Sequence, residues 1–153
     1  MTAMTAVTDQ DLVTQARQAR DRAYAPYSRF HVGAALLAAD GRVFLGCNVE
    51  NAAYGLCNCA ERTAFFSAVA AGVPPRAFSR LAVIGDTPGP IAPCGACRQV
   101  MLELGGPELG VLLANLAGAV QVTTAGALLP GAFDAGALGV NEGAGQGAGP
   151  GGA

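Results

Sequence analysis

The chain contains no lysine and no tryptophan, and one histidine, His31. Without lysine there is no amine for Schiff-base chemistry and no P-loop lysine to grip a phosphate. Charge is scarce: 13% of residues are charged, the formal net charge is −2, and all nine basic residues are arginines. Those arginines are scattered, which argues against a stripe for binding nucleic acid. Long apolar runs are missing too. The longest, VGAALLAA from Val32 to Ala39, falls far short of the roughly 20 residues that span a bilayer. The N-terminus MTAMTAVTDQD lacks a basic segment followed by an apolar run, so no signal peptide and no membrane association are expected, and a cytoplasmic location is.

What is present is apolar material, at 52% of 153 residues. That length suits one domain with a real core, and the apolar excess points to a subunit interface. Five cysteines make an odd number, and a cytosolic setting disfavours disulfides. Metal ligation, catalysis or burial must account for them.

Periodicity gives a helix over residues 8–24, with Thr8 and Asp11 at capping-box spacing and Leu12, Ala16, Ala19 and Ala23 at helical intervals. HVGAALLAADGRVFLGCNV reads as two strands joined by a hairpin turn at Asp40-Gly41. A helix from about Cys59 to Ala71 stops at Gly72. RLAVIGD, from Arg80 to Asp86, is a short buried strand. A third helix runs from about Cys94 to Leu104 and ends at Gly105-Gly106. GVLLAN and AVQVTT read as two more strands. From residue 136 the chain turns Gly- and Ala-rich, so residues 1–135 are expected to form the domain and 136–153 a disordered tail. The order α-β-β-α-β-α-β-β predicts an α/β domain in which helices cover a mixed sheet.

Two stretches carry the chemistry. CNCAER places Cys57 and Cys59 ahead of Glu61, and PCGACRQV places Cys94 and Cys97 at the start of a helix, three apart and therefore on one face. A C-x-x-C pair alone fits a redox couple or half of a closed zinc site. Together with Cys59-Ala60-Glu61 it forms the pattern of zinc-dependent deaminases, in which three ligands leave one metal position open and a nearby glutamate moves protons. Only Cys59 has the right offset to Glu61; Cys57 falls in the preceding loop. Three thiolates leave the site with an excess negative charge. Helix N-termini at Cys59 and Cys94 offset part of it, and Arg62 and Arg98 stand ready to donate hydrogen bonds to sulfur. Glu61 also has a plainer role open to it, as the capping-box partner of Asn58. Cys47, ending a strand, reads as a small buried apolar residue.

With these residues in view, FHVGAALLAADGRVFLGCNVENAAYGLCNCAERTA, PCGACRQV and LLPGAF closely resemble the small homotetrameric cytidine deaminases, over about residues 9 to 135. The resemblance implies a cytidine-deaminase-like α/β/α layered domain with a mixed five-stranded sheet. It also implies zinc-dependent hydrolysis of cytidine and 2′-deoxycytidine to uridine and 2′-deoxyuridine in pyrimidine salvage. It makes Cys59, Cys94 and Cys97 the Zn²⁺ ligands and Glu61 the proton shuttle. Asn48 and Glu50 become the partners of the ribose 3′-hydroxyl, Phe30 an aromatic contact to the pyrimidine, and the Ala60 backbone a contact to the base edge. Tyr54 and Phe133 match positions that complete a neighbouring subunit's pocket in a homotetramer, although packing is an equally simple role for both. His31 stands where the family commonly has proline, and Ala127 where an acidic residue is common.

Three other readings compete. A related deaminase acting on another aminated heterocycle, such as blasticidin S, shares the metal pattern, but CNVEN favours a nucleoside. A polynucleotide deaminase would need a basic groove. A structural zinc module would close the fourth metal position, for which Cys57 is the nearby candidate.

Overall fold

The computed structural model describes residues 6–140. The chain opens with α1, Asp9–Arg20, and its cap is the expected capping box. The Thr8 hydroxyl accepts from the Asp11 N–H at 3.1 Å, and the Asp11 carboxylate accepts from the Thr8 N–H at 3.0 Å. The helix stops short of residue 24, although the apolar spacing continues to Ala23. Beyond it, the Tyr24 N–H donates to the Asn48 carbonyl at 3.0 Å, and the Glu50 N–H donates to the Tyr24 carbonyl at 2.8 Å. A long-range bridge takes the backbone groups that another helical turn would have used.

The strands are β1, Val32–Ala38; β2, Val43–Cys47; β3, Phe78–Gly85; β4, Gly110–Asn115; and β5, Val120–Thr124. They form one sheet in the order β2-β1-β3-β4-β5. The β3–β4 pair is parallel and the other neighbours are antiparallel, so the sheet is mixed, as expected. Alternate side chains of β1 serve opposite faces. Val32, Ala34, Leu36 and Ala38 pack with α2, Ala60–Ala70, and with Cys97 and Met101. Ala35 and Leu37 pack with Leu12, Val13 and Ala16 of α1. Three layers result. Phe65 of α2 is fully buried and meets Phe78 edge-on, with ring centroids 5.3 Å apart; truncating such a residue to alanine costs about 3–5 kcal/mol.

Two glycines let the helices sit this close. A Cβ on Gly33 would lie 2.0 Å from the Ala16 carbonyl of α1. A Cβ on Gly46 would lie 2.1 Å from the Ala60 carbonyl and 2.6 Å from the Ala64 nitrogen of α2. Since Gly46 pairs with Ala34 and Gly33 with Cys47, the two contacts fall on opposite faces of the β1–β2 pair.

Past β2 the backbone continues into two isolated bridges at Val49, one parallel with Tyr24 and one antiparallel with Asn58. Val49 and Asn58 exchange both hydrogen bonds, at 3.0 and 2.9 Å. The intervening segment includes a 3₁₀ turn at Tyr54–Leu56.

The third helix, α3, is Gly95–Val100. It widens into a π-helical turn over Met101–Gly105 that the sequence pattern does not announce. After β5 comes α4, Ala125–Leu128. A 3₁₀ turn at Ala135–Leu138, capped by Asp134, carries regular structure into the stretch expected to be tail. The remainder of that tail, from residue 141, lies outside the described residues. No helix among the described residues is long and apolar enough to cross a membrane.

Candidate active site

Both cysteine segments reach the site at helix starts. Cys59 is the N-cap of α2 with extended backbone, and its side chain makes no capping hydrogen bond. Its sulfur lies 3.8 Å from that of Cys94 instead. Cys94 is the N-cap of α3, and its sulfur accepts from the Cys97 N–H at 3.4 Å. Cys97 is fully buried in the first turn of α3. The three sulfurs lie within 4.8 Å of one another.

This donor set fits zinc. Thiolates bind zinc at about 2.3 Å, so two of them at tetrahedral corners stand about 3.8 Å apart. The Cys59–Cys94 separation meets that value. No fourth histidine, cysteine or carboxylate joins the group among the described residues. Cys57 is engaged elsewhere: its sulfur accepts from the Asn51 N–H at 3.3 Å. His31 is likewise outside the group, and its carbonyl accepts from Arg20 Nε at 3.2 Å.

Glu61, in the first turn of α2, is 4% exposed. The capping-box role does not hold, because the N-cap is Cys59 and the Asn58 side chain donates to the Thr63 hydroxyl at 3.1 Å. Burial pushes the Glu61 carboxyl above the ordinary glutamate range, and the negative charge of Cys59 adds to the rise. The Cys59 thiol moves the other way, down to about 5, chiefly because Cys97 donates a hydrogen bond to it, with Arg62 and Cys94 assisting. Cys97, as the donor, is held above its ordinary value by that bond and by burial. Arg62 Nη2 donates to the Cys59 sulfur at 3.4 Å. That bond raises the Arg62 pKa.

Arg98 departs from expectation. Its Nε donates to the Pro93 carbonyl and its Nη1 to the Leu128 carbonyl, both at 2.8 Å. It braces the second cysteine segment against α4, where a bond to sulfur was expected. The guanidinium fork satisfies main-chain carbonyls that no helical donor reaches.

Beside the sulfurs lies a cavity of about 440 Å³, within the range of small-molecule sites. Phe30, Asn48, Glu50, Ala60 and Glu61 all line it. Asn48 clamps the approach to β1: its Oδ1 accepts from the Val32 N–H at 2.8 Å and its Nδ2 donates to the Phe30 carbonyl at 2.7 Å. Glu50 clamps the preceding turn: its Oε2 accepts from the N–H groups of Tyr27 and Ser28, at 2.9 and 3.2 Å. Its Oε1 accepts from the Ser28 hydroxyl. An amide carries two donors and two acceptor sites, and a carboxylate about four acceptor sites. The side chains therefore retain a donor on Asn48 and an acceptor on Glu50, which together match a hydroxyl.

Tyr54 and Phe133 lie outside this cavity. They are 72% and 63% exposed, and the Phe133 carbonyl accepts from Gln99 Nε2 at 2.9 Å. Sequence reasoning passed over Ser28, Thr87 and Ile91, which also line the cavity. The serine in APYSRF was the available signal, but its partner Glu50 lies 22 residues away.

The family described as "Cytidine and deoxycytidylate deaminase zinc-binding region" matches residues 6–113. A cytidine deaminase of Sporosarcina psychrophila is 56% identical over 124 residues, covering 81% of this chain and 90% of that protein. A cytidine deaminase of Halalkalibacterium halodurans is 56% identical over 126 residues, with 82% and 94% coverage. Among solved structures, the cytidine deaminase of Burkholderia pseudomallei superposes with a TM-score of 0.82 at 66% identity, covering 82% of this chain and 99% of that one. The cytidine deaminase of Mycobacterium tuberculosis gives 0.71 at 43% identity, with 83% and 98% coverage.

Proposed function

The chain belongs to the cytidine and deoxycytidylate deaminase family, and on that premise we propose that it hydrolyses cytidine and 2′-deoxycytidine to uridine and 2′-deoxyuridine with release of ammonia, serving pyrimidine salvage. The observation that carries this reading is a buried glutamate lining one cavity of nucleoside size together with Cys59 and Cys94, two members of a three-thiol cluster completed by the buried Cys97. Cys59, Cys94 and Cys97 would hold zinc. When bound, zinc lowers the pKa of a coordinated water from about 15.7 to about 7 and so supplies the nucleophile.

The side chains do the rest. Asn48 and Glu50 engage the ribose 3′-hydroxyl, and a site built to bond a hydroxyl strongly rejects analogues lacking it. Phe30 lies against the pyrimidine and the Ala60 backbone meets the base edge. Glu61 accepts a proton from the attacking water and delivers it to ring nitrogen 3 while oxygen bonds to carbon 4. It then carries the remaining hydroxyl proton to the amino group, which leaves as ammonia. Burial suits the carboxyl to this shuttle, because a raised pKa brings its proton affinity closer to the working pH. Arg62 offsets the charge on Cys59.

Assembly into a homotetramer with shared sites is part of this proposal. Exposed Tyr24, Tyr54, Leu56, Val122, Phe133 and Leu138 supply apolar surface suited to burial between subunits. Tyr54 and Phe133, exposed and outside the substrate cavity of their own chain, are the residues available to complete a neighbour's. Reduced thiols are needed for the metal, which agrees with a cytoplasmic location.

An ultraviolet absorbance assay with cytidine tests the proposal, using zinc-replete, chelated and zinc-restored protein beside Glu61→Gln. Turnover should vanish on chelation and return with zinc. Glu61→Gln should keep its zinc by metal analysis yet lose about 10²- to 10⁴-fold in kcat. Chelator-insensitive deamination, or a glutamine variant near wild-type rate, would refute it.

A further inference from the structure

Ser28 lines the substrate cavity and bonds to both Glu50 and Phe30, which line it too. Its hydroxyl donates to Glu50 Oε1 and accepts from the Phe30 N–H at 3.0 Å. Between them, Arg29 is held at a left-handed φ of 57°, which side-chain-bearing residues seldom adopt without support. One oxygen thus links the carboxylate facing the sugar to the backbone of the aromatic facing the base. Resting on the deaminase reading above, we propose that Ser28 is a positioning residue for nucleoside specificity, which orients Glu50 Oε1 toward the sugar hydroxyl and keeps it in register with Phe30.

The hydrogen-bond inventory separates this role from simple loop support. Oε2 of Glu50 is already fixed by two main-chain donors, Tyr27 and Ser28. Asn48 already fixes the Phe30 carbonyl and the Val32 N–H. Among the described residues, the Ser28 hydroxyl is the one hydrogen-bond donor to Oε1, the oxygen with capacity left for a ligand. Ser28 and Glu50 also line a second cavity of about 350 Å³, shared with Tyr27, Tyr54 and Cys57. They therefore border two spaces. The same serine bond is the largest cause holding the Glu50 carboxyl below its ordinary range.

The test compares kcat/KM for cytidine and for 3′-deoxycytidine in wild type, Ser28→Ala and Ser28→Thr. The ratio of the two values within one preparation does not depend on how much of the enzyme is folded. Ser28→Ala should lower the cytidine preference roughly tenfold or more, the usual scale for a hydrogen bond to a charged group, with the loss in KM and not in kcat. Ser28→Thr, which restores the hydroxyl, should recover most of the preference. If Ser28→Ala turns over too slowly, the same ratio is read from binding of uridine and 3′-deoxyuridine by calorimetry. An active wild type whose preference survives intact in Ser28→Ala overturns the Ser28 role alone. A wild type that does not deaminate cytidine overturns the function and this role with it.

Discussion

Gly46→Ala is the most exposing perturbation of the link between fold and chemistry. The added Cβ would sit 2.1 Å from the Ala60 carbonyl, where ordinary contact begins at 3.4 Å, so the partners must separate by about 1.3 Å. Two elements can yield, and both serve the site. If α2 moves, it carries Ala60 and Glu61 and shifts its cap Cys59. If the edge strand β2 moves, it displaces Asn48 and Glu50 just beyond its end. Overpacking of this kind costs about 1–3 kcal/mol, or roughly 2–12 °C in melting temperature for a chain of this size. Misplacing reacting groups by about 1 Å can cost on the order of 100-fold in rate. Thermal unfolding, zinc content and cytidine kinetics should therefore be measured together: a lower kcat with zinc loss marks α2, and a higher KM marks β2. Gly55→Ala is the control, because a Cβ there meets nothing within 4 Å. A Gly46→Ala protein with wild-type melting, kcat and KM would refute the reasoning.

Other outcomes follow from the thiols. Cys57→Ser should keep both zinc and turnover within about threefold, because a serine oxygen can still accept from Asn51 N–H; loss of zinc would mean that Cys57 closes the metal site. In chelated protein, the Cys59 thiol at about 5 should be largely thiolate at neutral pH. One cysteine should then be alkylated rapidly at about pH 6, with the rate falling as pH drops through about 5. A rate that rises only above about pH 8, as for an ordinary thiol, would contradict the hydrogen bonding described at Cys59.

Features set by neighbours in the chain were legible from the residues. The capping box at Thr8, the Asp40-Gly41 turn, the stop at Gly72 and the β4 strand appear where local spacing places them. So does the three-cysteine cluster, because i, i+3 spacing and helix starts fix two of its members. Features set across the fold were not. The end of α1 is decided by pairing of Tyr24 with the segment after β2. Arg98 finds its partner in Leu128, 30 residues away. The choice between cap and buried acid at Glu61 turned on a single residue, since an N-cap at Cys59 in place of Asn58 puts Glu61 at the second helical position, where it is no longer the capping-box partner. The π-helical turn after α3 has no short-range signature in MLELG.

The paired backbone of Val49 and Asn58 has a bearing on how the protein tolerates change in length. It fastens the residue next to Asn48 and Glu50 directly to the residue before Cys59. The span from sugar anchor to metal is therefore gauged by a two-rung ladder and not by the loop that joins its ends. A change of length within 51–57 would leave that gauge in place while displacing Tyr54 and Cys57 from the cavities they line, whereas a single insertion between Asn58 and Cys59 would leave the nucleoside one step out of reach of its own chemistry.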